Sequence, residues 1–153
     1  MSRKEKPTAV RNKTRKEELD EAEGLLERLR EKSRQGIPIV VEGKRDAKAL
    51  KSLGVEEDSI VKLKGTGRKT LGEIAWDVAT RTTTKKETTR SVVIILTDPD
   101  REGMKMAHQV SELIEAYGAH PDLSFMRMTR LFGRGAVEEL EDVQPMQIDD
   151  FAG

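Results

Sequence analysis

Cysteine is absent from the 153 residues. That removes disulfides, thiolate nucleophiles and Cys-ligated zinc together. Aromatic residues are only 3% of the chain, with one Trp, one Tyr and three Phe. A core must therefore come from Leu, Ile, Val, Ala and Met, and Trp76, Phe125 and Phe132 are expected to join it. Stacking platforms for single-stranded nucleic acid are then missing. Formal net charge is +0 although 37% of residues are charged, so there is no uniform basic field to attract a polyanion. No apolar run approaches the ~20 residues of a membrane helix, and the basic N-terminus has no apolar stretch of the kind a secretory signal needs. The expectation is a cytoplasmic protein with no membrane partner.

The chain is long enough for one domain with a real core. Its charge is unevenly spread. Arg3, Lys4, Lys6, Arg11, Lys13, Arg15 and Lys16 face only Glu5 before Glu17, whereas the far end is acidic through Glu138, Glu139, Glu141, Asp142, Asp149 and Asp150. Thr14 and Glu17 have capping-box spacing, and Leu19, Ala22, Leu25, Leu26 and Leu29 recur on one face, so a helix is expected from Thr14 to about Ser33. Apolar runs at Ile37 to Glu42, Ile60 to Leu63, Ser91 to Leu96 and Leu123 to Met128 read as strands. Helical patterns separate them, from Asp46 to Leu53, from about Lys69 to Ala79, and from about Glu102 to Tyr117. Arg81 to Thr89 reads as a polar connector, and a short acidic helix is expected near Ala136. Four alternations of this kind predict an α/β fold with a mostly parallel four-stranded sheet and helices on both faces.

Right-handed crossovers put the carboxyl ends of all the strands on one rim. Glu42, the Gly65 loop, Asp98 and Asp100 all fall there. Crowded carboxylates repel one another unless a cation lies between them, and oxygen-only donors suit a hard ion such as Mg²⁺. In an extended turn, Asp98 and Asp100 point the same way, and Glu42 approaches from another strand. The plainer alternative is that Asp98 and Asp100 only cap the following helix. Three motif likenesses fall short. Asp98, Asp100, Glu102 and Gly103 open like an EF-hand loop, but the twelfth position is Gln109. The Gly65 to Thr70 loop matches neither phosphate-loop spacing, although its N–H groups remain available to a phosphate. A phosphatase with Asp-x-Asp after its strand normally opens on that motif, whereas here the strand ending in Glu42 comes first.

Val40-Val41-Glu42-Gly43 and Leu96-Thr97-Asp98-Pro99-Asp100-Arg101-Glu102-Gly103 together resemble the Toprim domain. Topoisomerases, bacterial primases, recombination-repair proteins and small ribonucleases that mature 5S ribosomal RNA share this domain. The resemblance covers roughly residues 37 to 130. Val41-Glu42-Gly43-Lys44, Thr66 and Gly135-Ala136-Val137-Glu138 bring it nearest to those ribonucleases and to a set of small stand-alone archaeal proteins. Together with the patterns above, the expected organisation is a disordered basic tail over 1–12, polar and containing Pro7, an N-terminal helix over 13–35, a Toprim-like domain over 36–130 and a C-terminal acidic extension over 131–153. The resemblance implies that Glu42 and Asp98 hold one Mg²⁺ and that Asp98 and Asp100 hold a second, with Mn²⁺ able to substitute. Glu42 has the alternative role of general acid or base, and Glu102 is a further candidate carboxylate.

Tyr117, the only tyrosine, lies late in a helix, away from any topoisomerase-like role. The substrate phosphate candidates are Lys44, Arg68, Lys69 and Arg101. Arg45, Lys64, Arg127, Arg130 and Arg134 are further basic residues near the rim in sequence. His108 and His120 are expected at the surface. The function expected is a Mg²⁺-dependent nuclease, a hydrolase of phosphodiester bonds acting in RNA processing, with structured RNA favoured over DNA and protein partners left open. The alternative is a non-catalytic, metal-dependent nucleic-acid-binding or assembly factor. A small-molecule phosphatase is a third reading.

Overall fold

The structure is a computed structural model and describes residues 14–65, 67, 69–83 and 91–128. The basic tail, Thr66, Arg68, Arg130, Phe132, Arg134, the acidic helix near Ala136 and the acidic extension lie outside the described residues.

Helix α1 spans Arg15–Arg34. Its start is the expected capping box. The Glu17 N–H donates to Thr14 Oγ1 at 3.1 Å, and the Thr14 N–H donates to Glu17 Oε1 at 2.9 Å. Ala22, Leu25, Leu26 and Leu29 form the buried stripe. At its other end Arg34, and then Gln35, donate to Glu31 and hold that carboxyl below its usual range.

The chain then forms β1 (Ile39–Val41), α2 (Lys44–Ser52), a 3₁₀ turn (Glu57–Ser59), β2 (Ile60–Lys62), α3 (Leu71–Thr83), β3 (Val92–Leu96), α4 (Arg101–Ala116) and β4 (His120–Asp122). Three of the helices close in the same way. After α2, the Gly54 N–H bonds Lys51 O and the Val55 N–H bonds Leu50 O; after α4, Gly118 and Ala119 bond Glu115 O and Ile114 O. Gly36 and Ile37 repeat the pattern after α1. This is the Schellman arrangement, with apolar pairs Leu50/Val55 and Ile114/Ala119 buried beneath it.

The four strands pair in the order β2-β1-β3-β4, and every pair is parallel. The step from β1 to β2 runs one way along the sheet, and the steps from β2 to β3 and β3 to β4 run the other way. With right-handed crossovers this places α2 on one face and α3 and α4 on the other. Helices α3 and α4 pack on each other. Helix α1 is fastened beside α2: Arg30 Nε donates to Leu53 O at 2.6 Å, and the buried Ser59 hydroxyl donates to Ser33 O at 2.9 Å. Between the layers lies one apolar core, in which Ile39, Val40, Val41, Val93, Ile94 and Ile95 are fully buried.

Four expectations are corrected. The fourth strand is His120–Asp122, not Leu123 to Met128. The Asp122 carboxylate accepts from the Ser124 N–H (2.9 Å) and Ser124 Oγ (2.7 Å), which turns the chain. Phe125, Met126 and Met128 then enter the core from a helical turn over 126–128. A short apolar run does not distinguish strand from helix by periodicity. Second, α3 continues past Ala79 to Thr83, and two of its threonines bond back into the helix, Thr80 Oγ1 to Trp76 O at 2.7 Å and Thr82 Oγ1 to Ala79 O at 2.9 Å. Third, α2 starts at Lys44 rather than Asp46, because the Asp46 carboxylate accepts from the Gly43 N–H at 3.3 Å from inside the first turn. Fourth, Trp76 is 55% exposed, edge-on to the half-exposed Tyr117, with ring centroids 5.2 Å apart. Phe125 is buried, and His108 and His120 are exposed.

Candidate carboxylate centre

Strand order reverses between β1 and β3, because the chain leaves β1 towards one edge and leaves β3 towards the other. The crevice outside the carboxyl ends of such a strand pair is where open α/β sheets take ligands. Val41 is the register partner of Leu96. Glu42 and Thr97 therefore leave the sheet abreast, and the loop carrying Asp98 starts beside Glu42.

The Asp98 N–H donates to Glu42 Oε2 at 2.8 Å, across 56 positions of chain. The Glu42 side chain is only 12% exposed, and Lys64 Nζ stands 3.8 Å from its other oxygen. Asp98 is half-buried, and no hydrogen bond from the described residues reaches its carboxylate. Asp100 is exposed and is the N-cap of α4; its Oδ1 accepts from the Gly103 N–H at 2.7 Å. The plainer reading of Asp100 as a cap therefore holds for one of its oxygens.

The loop is locked by residues whose roles sequence reasoning did not find. Thr97 is buried, and its hydroxyl donates to Gly103 O at 2.8 Å. A Cβ on Gly103 would lie 2.1 Å from the Asp98 carbonyl oxygen and 2.7 Å from Glu42 Oε2. Position 103 therefore has to be glycine for the first turn of α4 to sit against both carboxylate-bearing segments. The available signal was the glycine placed three residues after a capping aspartate. Its need for close approach becomes visible only once β1 and β3 are side by side.

The structure brings Glu42 and Asp98 into contact and puts Asp100 on the same loop. Among the described residues, no three His, Cys, Asp or Glu side chains lie close enough together to hold one metal ion. The donor chemistry nevertheless fits a hard cation. All three groups are carboxylates, the Asp98 carboxylate accepts no hydrogen bond from the described residues, and each of Glu42 and Asp100 has one oxygen outside the main-chain bonds just described. The N-termini of α2 and α4 both open on this rim, and their N–H groups favour anions there.

The basic candidates divide. Lys44 and Arg101 are exposed at the first positions of α2 and α4, next to Glu42 and Asp100. Lys69 instead pairs with Asp77 of α3 at 2.9 Å. Arg127 pairs with Glu21 of α1. Arg68 lies outside the described residues. Among the described residues no helix is long and apolar enough to cross a membrane.

Comparison with known proteins agrees with this architecture. The family model of the Toprim domain matches residues 37–128. A UPF0292 protein of Archaeoglobus fulgidus is 31% identical over 77% of this chain and 82% of its own length. One from Thermococcus sibiricus is 33% identical, covering 79% and 83%. A solved structure of a protein from Aquifex aeolicus superposes with a TM-score of 0.54 at 25% identity, covering 71% of this chain and 87% of that one. With a match over most of the sheet and both carboxylate-bearing strand ends, and with small archaeal relatives aligned along most of their length, the chain belongs to the Toprim domain family, among its UPF0292 proteins.

Proposed function

We propose that this protein is a Mg²⁺-dependent enzyme that cleaves phosphodiester bonds in structured RNA. Membership of the Toprim domain family carries the coarser statement, a metal-dependent role on nucleic acid. One observation supports the finer reading: the Glu42 carboxylate, at the end of β1, is bonded to the Asp98 main chain at the end of β3, beside an Asp98 carboxylate to which no described residue donates.

Glu42 and Asp98 would hold one Mg²⁺, and Asp98 and Asp100 a second, with Mn²⁺ able to replace either. Bound there, such an ion polarises phosphoryl oxygens and stabilises the attacking and leaving oxygens. The chain's own groups do the remainder. Lys44, Arg101 and the two helix N-termini hold the phosphate. Glu42, nearly buried, orients the Asp98 loop and has general acid or base as its alternative role. The exposed pair Trp76/Tyr117 is no stacking platform for this centre. Tyr117 follows the end of α4, about 24 Å of helix rise from Arg101. Recognition by shape and phosphate, as for structured RNA, therefore remains the better fit.

The second reading is a binding or assembly factor without turnover. It draws on Asp100, whose Oδ1 is engaged in capping α4, and on the lack of a three-carboxylate cluster among the described residues. End-labelled structured RNAs and duplex DNA, incubated with Mg²⁺ or with EDTA, separate the two. The expected outcome is cleavage of RNA with Mg²⁺ only, reduced more than about 100-fold by Asp98→Asn, since even residues that merely support a metal ligand typically contribute 10–100-fold. RNA retained by the wild-type protein with no product would sink the enzyme and leave the binding factor.

A further inference from the structure

The surface of α2 differs from that of α1. On α1, basic side chains face carboxylates one turn away: Arg15–Glu18 at 3.7 Å, Lys16–Asp20 at 3.6 Å and Arg34–Glu31 at 3.1 Å. On α2, Lys44, Lys48 and Lys51 occupy i, i+4 and i+7, a single helix face. Lys44 and Lys48 are thus like charges one turn apart, an arrangement that weakens a helix unless an anion lies over it. Lys62 of β2 joins them across a cleft of about 660 Å³ between α2 and the strand. The one carboxylate among its lining residues is Glu57, 3.3 Å from Lys51. Lys44, Lys48 and Lys62 have no ion partner among the described residues.

The cleft has a direction. Helix α2 returns from the carboxylate rim towards the opposite rim, so its lysines begin beside Glu42 and lead away from it. Seven residues at ~1.5 Å rise span about 10 Å, roughly the axial rise of three phosphates of one duplex strand. Among the described residues β2 pairs only with β1, so this side of the sheet is an open edge. A lysine on an edge strand guards against strand pairing, which accounts for Lys62 but not for three lysines on the neighbouring helix.

We propose that the cleft between α2 and β2 is a track for the phosphate backbone of structured RNA, leading the strand away from the carboxylate centre. The proposal rests on the nucleic-acid reading of that centre and adds the direction in which the substrate lies.

The test is fluorescence anisotropy of a labelled RNA hairpin over a salt series, in EDTA so that no strand is cut. Lys48→Gln with Lys62→Gln, the two cleft lysines that have no carboxylate partner among the described residues and lie outside the carboxylate centre, is expected to weaken binding at least about tenfold and to flatten the plot of log K against log salt by about two, one for each lost phosphate contact. Lys48→Arg with Lys62→Arg is expected to keep the wild-type slope, which excludes a folding defect as the cause. Lys105→Gln, an exposed lysine on α4, serves as the charge control. If the Gln pair behaves like Lys105→Gln, the track is overturned while the function proposed above stands. If duplex DNA of the same sequence matches the hairpin in affinity and slope, the assignment to RNA is overturned. If the wild-type protein binds neither RNA nor DNA, in EDTA or in Mg²⁺, both proposals fall together.

Discussion

Two substitutions at Glu42 separate its charge from its place in the structure. In Glu42→Gln the side-chain carbonyl still accepts the Asp98 N–H, so stability should change little. In Glu42→Ala that N–H loses its acceptor, and unfolding in urea should show a loss of about 1–3 kcal/mol. Both variants should lose Mn²⁺ binding measured by paramagnetic resonance; a Gln variant that binds Mn²⁺ like wild type would remove Glu42 from the ligand set. Asp100 allows the complementary experiment. Asn caps a helix about as well as Asp, so Asp100→Asn should leave the melting temperature in place. A fall in cleavage rate would then be due to the lost charge, whereas full activity would assign Asp100 to capping alone. The positions of these carboxylates were legible in the sequence because each follows an apolar run. The supporting roles of Thr97 and Gly103 were not, because their partners lie on segments whose closeness exists only after folding.

Helix α1 precedes the region matched by the family model, yet its side chains are continuous with the core of the sheet. Ala22, Leu25, Leu26 and Leu29 are buried in the same cluster as the strands. Burying three leucines is worth roughly 5–9 kcal/mol, comparable with the whole stability of a small domain. A chain lacking residues 1–35 is therefore expected to lose cooperative unfolding and to bind a hydrophobic dye; an unchanged transition would make α1 an accessory. The capped start of α1 and the glycine-closed ends of α1, α2 and α4 were the most readable features, whereas the start of α2 and the end of α3 were not. Thr14, Gly36, Gly54 and Gly118 mark the expected boundaries, because capping chemistry is local. Strand β4 was the least readable. It has only three residues and includes Pro121, and proline in a strand is tolerated at an edge, where β4 lies among the described residues. Trp76 was misjudged for a different reason. Aromatic character suggested burial, but at ~100° per residue it sits about 150° from the stripe of Leu71, Ile74, Ala75 and Val78. The helix's own periodicity already pointed it outward.

For the whole molecule, the alternation of strands and helices was enough to predict a parallel sheet with its ligand rim at the carboxyl ends. The strand order was not readable, because a three-residue strand such as β1, buried throughout, carries no pattern that names its neighbours. The order matters because it sets β1 between β2 and β3, which leaves Glu42 facing Asp98 across the reversal and puts the lysine-lined cleft on the open side. The bond from the Asp98 amide to Glu42 also has a bearing on synthesis. It closes a loop of 56 positions, and such long-range contacts form only after their entropic cost has been met. A nascent polypeptide that has emerged from the ribosome only as far as β2 displays Glu42 before its counterpart is free to fold beside it. The two carboxylates therefore come together late, only once β3 lies beside β1.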